Sequence, residues 1–296
     1  MCPDRALKKI HGDIYYIPGR TNIGVVCRDG WCIVIDSGLD EDQGRRIVNI
    51  VKDAGLELRY LLNTHSHADH IGGNNIIVSR TGSKVLAPEV ESYFIEKPIL
   101  EPIFLYGAYP SESLRDKFFM AQPSKVYRNI QAGLDDELRI EYIPLPGHSF
   151  NMYGVIADDI FFTADLVFPE NLIEKYGVLY HFNVREVVRT LEKIKERRFK
   201  FYVLSHADPA TDISRLIDVN LQSIDKVRRL IEECTLNPTS LEEIVSNILL
   251  NLKINISPSM YFLYSSAVKS YISWMIDERS LSEYFDGGRV KYVLVR

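Results

Sequence analysis

The sequence predicts a layered α/β fold carrying a helical C-terminal module, and three observations predict it. Short apolar segments alternate with amphipathic helical stretches along much of the chain, and four of the apolar segments lead directly into histidine or aspartate. Beyond Asp212 the pattern changes to three long helical segments followed by a hairpin.

In chain order, Gly12 to Asp36 reads as strands with a hairpin whose turn lies within Arg28-Asp29-Gly30-Trp31. Glu41 to Ala54 reads as an amphipathic helix ended by Gly55. The apolar run Tyr60-Leu61-Leu62 leads into Asn63-Thr64-His65-Ser66-His67-Ala68-Asp69-His70, and Asp69 to Gly73 has the look of a helix start. An apolar pair and a short strand at Lys84 to Ala87 follow. Three later strands end in the same way. Tyr142 to Leu145 runs toward His148, Ile160 to Ala164 toward Asp165, and Phe201 to Ser205 toward His206. Five of the seven histidines therefore fall at strand ends, where open sheets build their sites.

Neutral imidazole nitrogen and carboxylate oxygen are ligands that a divalent first-row metal accepts, and His65, His67, Asp69 and His70 supply both without a thiolate. Four such groups on one loop cannot all reach a single tetrahedral ion, which implies two adjacent metals. A single strand-end histidine is commonly a hydrogen-bonded structural residue. Burying five imidazoles and two carboxylates without a cation would instead leave costly polar groups unpaired.

From about Ile14 to His206 the chain resembles the metallo-β-lactamase superfamily, through the motif His65-x-His67-x-Asp69-His70 and the later His148, Asp165 and His206 in the family's order. The resemblance implies an αββα sandwich with the site in a cleft at one edge of the sheets. It further implies that His65, His67 and His148 hold one metal, that Asp69, His70 and His206 hold the other, and that Asp165 bridges them. Zinc is the favoured ion, with iron or manganese also compatible with carboxylate bridging.

Two divalent ions, the two carboxylates and a bridging hydroxide leave a site of net charge about +1, suited to an anionic substrate or a developing oxyanion. Asp69 is the candidate catalytic residue, orienting that hydroxide. The expected reaction is hydrolysis of an ester or thioester of a small molecule, since Thr64 to His70 resembles the hydroxyacylglutathione hydrolase branch. The alternative on the same fold is a phosphodiesterase or endoribonuclease. Readings from other classes are a mononuclear-iron sulfur dioxygenase, which shares the motif, and a metal-holding scaffold without activity.

Two regions extend the minimal core. Residues 88–126 form an insertion rich in aromatics and interrupted by Pro98, Pro102, Pro110 and Pro123, fitting a lid, a pocket wall or a homodimer contact. The domain division expected is 1–212 for the catalytic domain and 213–296 for the helical module. Helices at Ile213 to Cys234, Ser240 to Leu252 and Ser257 to Ile276, then strands at Ser280 to Phe285 and Val290 to Val295, make a winged-helix-like pattern. The third helix offers the single lysine Lys269 within Met260 to Lys269 where groove reading needs several basic residues, so packing or substrate capping is favoured over nucleic-acid binding.

A net charge of -5 disfavours a broad nucleic-acid-binding surface. Met1 to Lys9 lacks the apolar core of a secretory signal and no apolar run approaches a membrane span, which points to a cytoplasmic protein. Cys2, Cys27, Cys32 and Cys234 form no disulfide framework, and Cys27 and Cys32 read as small apolar strand residues that face each other across the hairpin. His11 and His181 lie outside the ligand pattern, with a structural role favoured for His181 over a reach into the cleft.

Overall fold

The computed structural model describes residues 7–295. Cys2 and most of the stretch Met1 to Lys9 lie outside the described residues. The chain divides into two compact units, one containing residues up to 167 together with 197–213, the other 168–196 together with 214–296.

In the first unit, strands β1 (Lys8–His11), β2 (Ile14–Ile17), β3 (Ile23–Arg28), β4 (Trp31–Ile35), β5 (Glu57–Leu62), β6 (Lys84–Pro88) and β7 (Val126–Ile130) lie in sequence order in one sheet. The pairings are antiparallel from β1 to β4 and parallel from β4 to β7. The second sheet has the order β12 (Phe201–Val203), β11 (Ile160–Phe162), β10 (Tyr153–Ala157), β9 (Ile140–Pro144) and β8 (Gly133–Asp135). Only its β11–β12 pairing is parallel.

Alternation along the strands sends successive residues to opposite faces and so builds two cores. Val26, Ile33, Ile35, Leu62 and Leu86 meet Ile140, Tyr142, Val155, Phe162 and Val203 of the second sheet. Val25, Val34 and Leu61 point the other way, onto Ile47, Ile50 and Val51 of α1 (Glu41–Asp53) and Ile77 of α3 (Asn74–Thr81). Burying each such side chain contributes roughly 1.5–3 kcal/mol. The result is the layered α/β fold expected, with two facing sheets and α1 and α3 on the outer side of the first.

Between β5 and β6 stand the one-turn helix α2 (Ala68–Ile71) and α3. The two glycines that join them are required by contact: a Cβ on Gly72 would lie 2.0 Å from the Leu39 carbonyl oxygen, and one on Gly73 2.5 Å from that of Ser37. This close approach seats the ligand loop directly on the backbone that follows β4. Helix α3 departs from the expectation of a mere apolar pair before Lys84. Its buried residues are Asn74 and Ile77, so it presents no apolar stripe to be read from sequence.

The aromatic insertion is likewise more regular than its prolines suggest. It holds α4 (Glu89–Glu96), α5 (Leu100–Tyr106) and a short 3-10 turn at Glu112–Leu114. Pro88 is the N-cap of α4 and Pro102 lies in the first turn of α5, positions at which a missing N–H costs no helical hydrogen bond. Ile95 and Ala121 pack with Ile71 and Ala87 in a small core, while Tyr93, Tyr106, Tyr109 and Phe118 remain exposed.

The second unit contains α6 (Glu170–Tyr176), α7 (Val184–Lys195), α8 (Ser214–Cys234), α9 (Leu241–Asn251), α10 (Pro258–Asp277) and the hairpin β13 (Leu281–Asp286)–β14 (Arg289–Leu294). The last three helices and the hairpin follow the expected order. Ser240 closes a capping box with Glu243 at the start of α9, and Ser257 caps α10 ahead of Pro258. Residues 168–196, placed with the catalytic domain on sequence grounds, join this unit because α7 packs on α8 and α10. Among the described residues no helix is long and apolar enough to cross a membrane.

Candidate metal centre

All seven residues singled out as ligands lie in the first unit, and their ligand atoms converge in three overlapping groups: His65, His67 and His148; His65, His70 and Asp165; Asp69, His70 and His206. Five segments build the centre. The loop after β5 carries His65, His67, Asp69 and His70, and the loop after β9 carries His148. The 3-10 turn Ala164–Leu166 after β11 carries Asp165, and the loop after β12 carries His206. The fifth segment, Arg20 to Asn22 between β2 and β3, holds the loops after β5 and β12 in place. Asn22 bonds the backbone of Leu204, Ser205 and Ala207, and Thr21 donates to Asp69 Oδ2 at 3.3 Å.

The hydrogen bonds fix which ring nitrogen His70, His65 and His206 offer. Asp36 accepts from Thr64 N at 2.9 Å, Thr64 Oγ1 at 2.9 Å and His70 Nδ1 at 2.8 Å, leaving His70 Nε2 to face the cluster. Since the Thr64 hydroxyl gives its one proton to Asp36, it can only accept from His65 Nδ1, 3.0 Å away, and His65 Nε2 keeps its lone pair. His206 Nδ1 donates to the Arg20 carbonyl at 2.9 Å, again freeing Nε2. Such outer hydrogen bonds orient metal-bound imidazoles.

Three nitrogens then crowd one point, with His67 Nδ1 lying 3.1 Å from His65 Nε2 and 2.9 Å from His148 Nε2. Asp165 lies between this trio and the second group. Its Oδ2 is 3.5 Å from His148 Nε2 and its Oδ1 is 3.1 Å from His70 Nε2, while His206 Nε2 is 3.2 Å from both oxygens. Among the described residues, His70 Nε2 and Asp165 Oδ1 are buried without a hydrogen bond. Converging lone pairs and buried polar atoms that lack hydrogen bonds are the donor set that divalent cations satisfy, so these residues fit metal ions.

The titration of the groups points the same way. Burial lowers His65 well below the ordinary imidazole value, with the neighbouring His70 and His67 adding to the effect. For His70 burial also opposes the charge, yet Asp165, Asp36 and Asp69 hold it well above that value. His206 behaves similarly, raised to about 9 by Asp165 and Asp69 against the desolvation penalty. Asp165 is held well below the carboxylate range, because His206 and His70 outweigh its burial. The side of the pocket around Asp165 that draws protons onto His70 and His206 is one that favours a positive charge.

A pH dependence follows. Because His206 is raised from 6.5 to about 9, its charged form stabilises chelator-treated protein fully below pH 6.5, and that contribution is lost as pH rises through about 9. Metal binding must displace those protons and therefore tightens over the same window. Thermal melts from pH 6.5 to 9 should show the chelated protein losing stability while metal-loaded protein gains on it. A gap between the two that stays constant with pH would contradict this.

Three acidic groups near the centre escaped the sequence reading. Asp36 anchors Thr64 and His70. Glu91 of α4, fully buried, accepts from the Ser66 and Ser149 hydroxyls and from two backbone N–H groups. Glu101 of α5 is pushed up by burial and by Glu91, with His67 acting in the opposite sense. Asp36 could have been found from its place after the buried strand Trp31–Ile35, the same strand-end signal that marks the ligands. The other histidines lie elsewhere: His11 is on exposed β1 beside Lys200 Nζ at 2.7 Å, and His181 is buried in the second unit against Phe168. Cys27 and Cys32 are direct cross-strand partners with free thiols, which burial pushes up to about 11 and about 12.

Comparison with known proteins agrees with the geometry. A stretch of 58 residues is 41% identical to the hydroxyacylglutathione hydrolase of Erythrobacter litoralis, covering 18% of this chain and 23% of that protein. The Anti-Pycsar protein Apyc1 of Paenibacillus harenae is 26% identical over 163 residues, 51% of this chain and 63% of the relative. The chain thus spans about a quarter or less of the length of the hydroxyacylglutathione hydrolases it matches first. In fold it is similar to a beta-lactamase domain protein from Burkholderia ambifaria, with a TM-score of 0.76 at 15% identity over 98% of this chain and 93% of that one. A metallo-beta-lactamase family protein from Thermus thermophilus gives a TM-score of 0.71 at 14% identity, covering 96% and 99%. The model of the metallo-beta-lactamase superfamily matches residues 16–206, a span that includes every residue of the metal centre, and the chain belongs to that superfamily.

Proposed function

We propose that the protein is a hydrolase dependent on two divalent metal ions, zinc by preference, acting on an ester or thioester of a small anionic substrate. The observation that carries this reading is the position of Asp165, within 3.5 Å of imidazoles from both the His65/His67/His148 trio and the His70/His206 pair. His65, His67 and His148 would hold one ion, Asp69, His70 and His206 the other, with Asp165 shared. Divalent ions bound there would supply a water acidic enough to ionise near neutrality and would polarise the carbonyl oxygen of the ester or thioester.

The chain's own groups handle orientation and protons. Asp69 is the most exposed carboxylate of the centre, 38% against 5% for the Asp165 side chain, and it faces His206 Nε2 at 3.7 Å. It is placed to accept the proton of the attacking water and return it to the leaving group. Thr21 fixes one of its oxygens, and Asp36 prevents His70 from turning. Thioester cleavage takes its support from the hydroxyacylglutathione hydrolases matched over part of the chain. The test is a panel of ester, thioester, lactone and phosphodiester substrates run with zinc, manganese and iron. Turnover of an ester or thioester that chelation abolishes supports the reading, and turnover confined to phosphodiesters overturns it.

We also propose that the aromatic insertion forms a wall of the substrate site rather than a dimer contact. Phe150, two residues beyond His148, lies between Phe94 of α4 and Phe104 of α5, with ring centroids 4.8 and 4.9 Å away. Aromatic pairs contribute about 0.5–1.5 kcal/mol, so Phe104→Ala should raise KM by roughly 2- to 10-fold with metal content unchanged. Unchanged kinetics with an altered oligomeric state would assign the insertion to a subunit interface.

A further inference from the structure

We propose that Glu91 is a positioning residue that locks the two loops of the His65/His67/His148 trio together and so sets the geometry at which the trio holds its ion. The inference rests on the metal-holding role assigned above to that trio.

The two loops are far apart in the chain, with His148 standing 81 residues beyond His67. Glu91 reaches both. Its Oε2 accepts from Ser66 N at 3.0 Å and Ser66 Oγ at 2.5 Å, and Ser66 is the residue between His65 and His67. Its Oε1 accepts from Ser149 Oγ at 2.6 Å and Asn151 N at 2.7 Å, and Ser149 follows His148 directly. All four donors point at one fully buried carboxylate.

The arrangement demands a carboxylate specifically. Each oxygen receives one backbone N–H, so an amide in this place would set its own NH2 against the N–H of Ser66 or that of Asn151, whichever way it turned. Glutamine nearly matches glutamate in size, yet it must break one side of the clamp. Hydrogen bonds to a charged acceptor are roughly twice as strong as neutral ones, and outer groups of this kind hold metal-bound imidazoles in their working orientation. Glu91 sits on the insertion helix that also supplies Phe94 to Phe150, so the same segment that walls the site fixes the loops carrying the trio.

The test uses the full chain loaded with Co2+, whose d–d absorption reports ligand geometry directly. Glu91→Gln should shift that spectrum and weaken the affinity of one of the two ions by about 10- to 100-fold. The double variant Ser66→Ala/Ser149→Ala, which removes a hydroxyl from each side of the clamp, should move both readouts in the same direction and decides the matter if Glu91→Gln does not fold. Wild-type spectrum and affinity in the double variant, or in a folded Glu91→Gln whatever its melting temperature, would overturn the proposal and leave Glu91 a stabilising residue alone. His148→Ala separates this outcome from failure of the underlying reading: if that change leaves Co2+ binding intact, the trio holds no ion and the proposal falls with it.

Discussion

If the proposed centre holds two ions, Asp165→Asn should cost one of them and lower kcat by at least roughly 10- to 100-fold, the scale set by loss of groups that orient metal ligands. Both Asp165 oxygens are engaged, Oδ1 toward His70 and His206 and Oδ2 toward His148 and His206. Asparagine keeps the size and one acceptor but replaces the other oxygen with a donor that no cation accepts. It also removes the negative charge that would offset two cations held close together. Folding should survive, because Asp165 lies in the turn beyond β11 and outside the two apolar clusters between the layers. Metal analysis beside steady-state kinetics checks this, and full activity with both ions retained would remove Asp165 from the centre.

The second large effect is on stability. Asp36→Ala leaves the Thr64 N–H and hydroxyl buried without their acceptor and frees His70 Nδ1, since Asp36 receives all three bonds and is itself buried. Removing one partner of a buried charged network costs about 3–5 kcal/mol. Asp36 also adopts a left-handed backbone with φ of 64°, which alanine tolerates less well than aspartate or asparagine. For a unit of this size each kcal/mol shifts Tm by about 2–4 °C, so a fall of roughly 6 to 20 °C is expected. Thr64→Val should cost less, because it deletes the hydroxyl's bonds to Asp36 and His65 but keeps the Asp36 charge, its bond to the Thr64 N–H and its bond to His70. A Tm for Asp36→Ala within a degree or two of wild type would show that the network contributes nothing to the fold.

The residues that converge at the candidate metal centre were marked in the sequence for a physical reason. Strand periodicity places apolar residues just before them, and so many imidazoles and carboxylates gathered at strand ends would repel or strand one another unless a cation held them. The C-terminal helices were legible from their caps, Ser240 with Glu243 and Ser257 with Pro258, which mark helix starts without reference to anything distant. Glu91 was not legible, because its role consists of bonds to residues 25 to 60 positions away. A lone glutamate on a surface-like helix carries no local mark of burial, whereas Asp36 follows the buried strand β4 and shares the strand-end signal of the candidate ligands. Helix α3 escaped because it buries an asparagine, and Asn74 is held by Ser37, Asn63 and Ser124 rather than by an apolar stripe. The unit boundary differs at 168–196 for a related reason. The periodic residues Val187, Leu191 and Ile194 of α7 announce a buried face but not which partner covers it.

The most direct test of the proposed dinuclear centre is the number of ions bound per chain, measured by elemental analysis after loading and removal of free metal, in the wild type and in His148→Ala and His206→Ala. The two triads sharing Asp165 predict two ions in the wild type and close to one in each variant. A single ion in the wild type, unchanged by His206→Ala or by substitution of Asp69, would contradict a dinuclear centre.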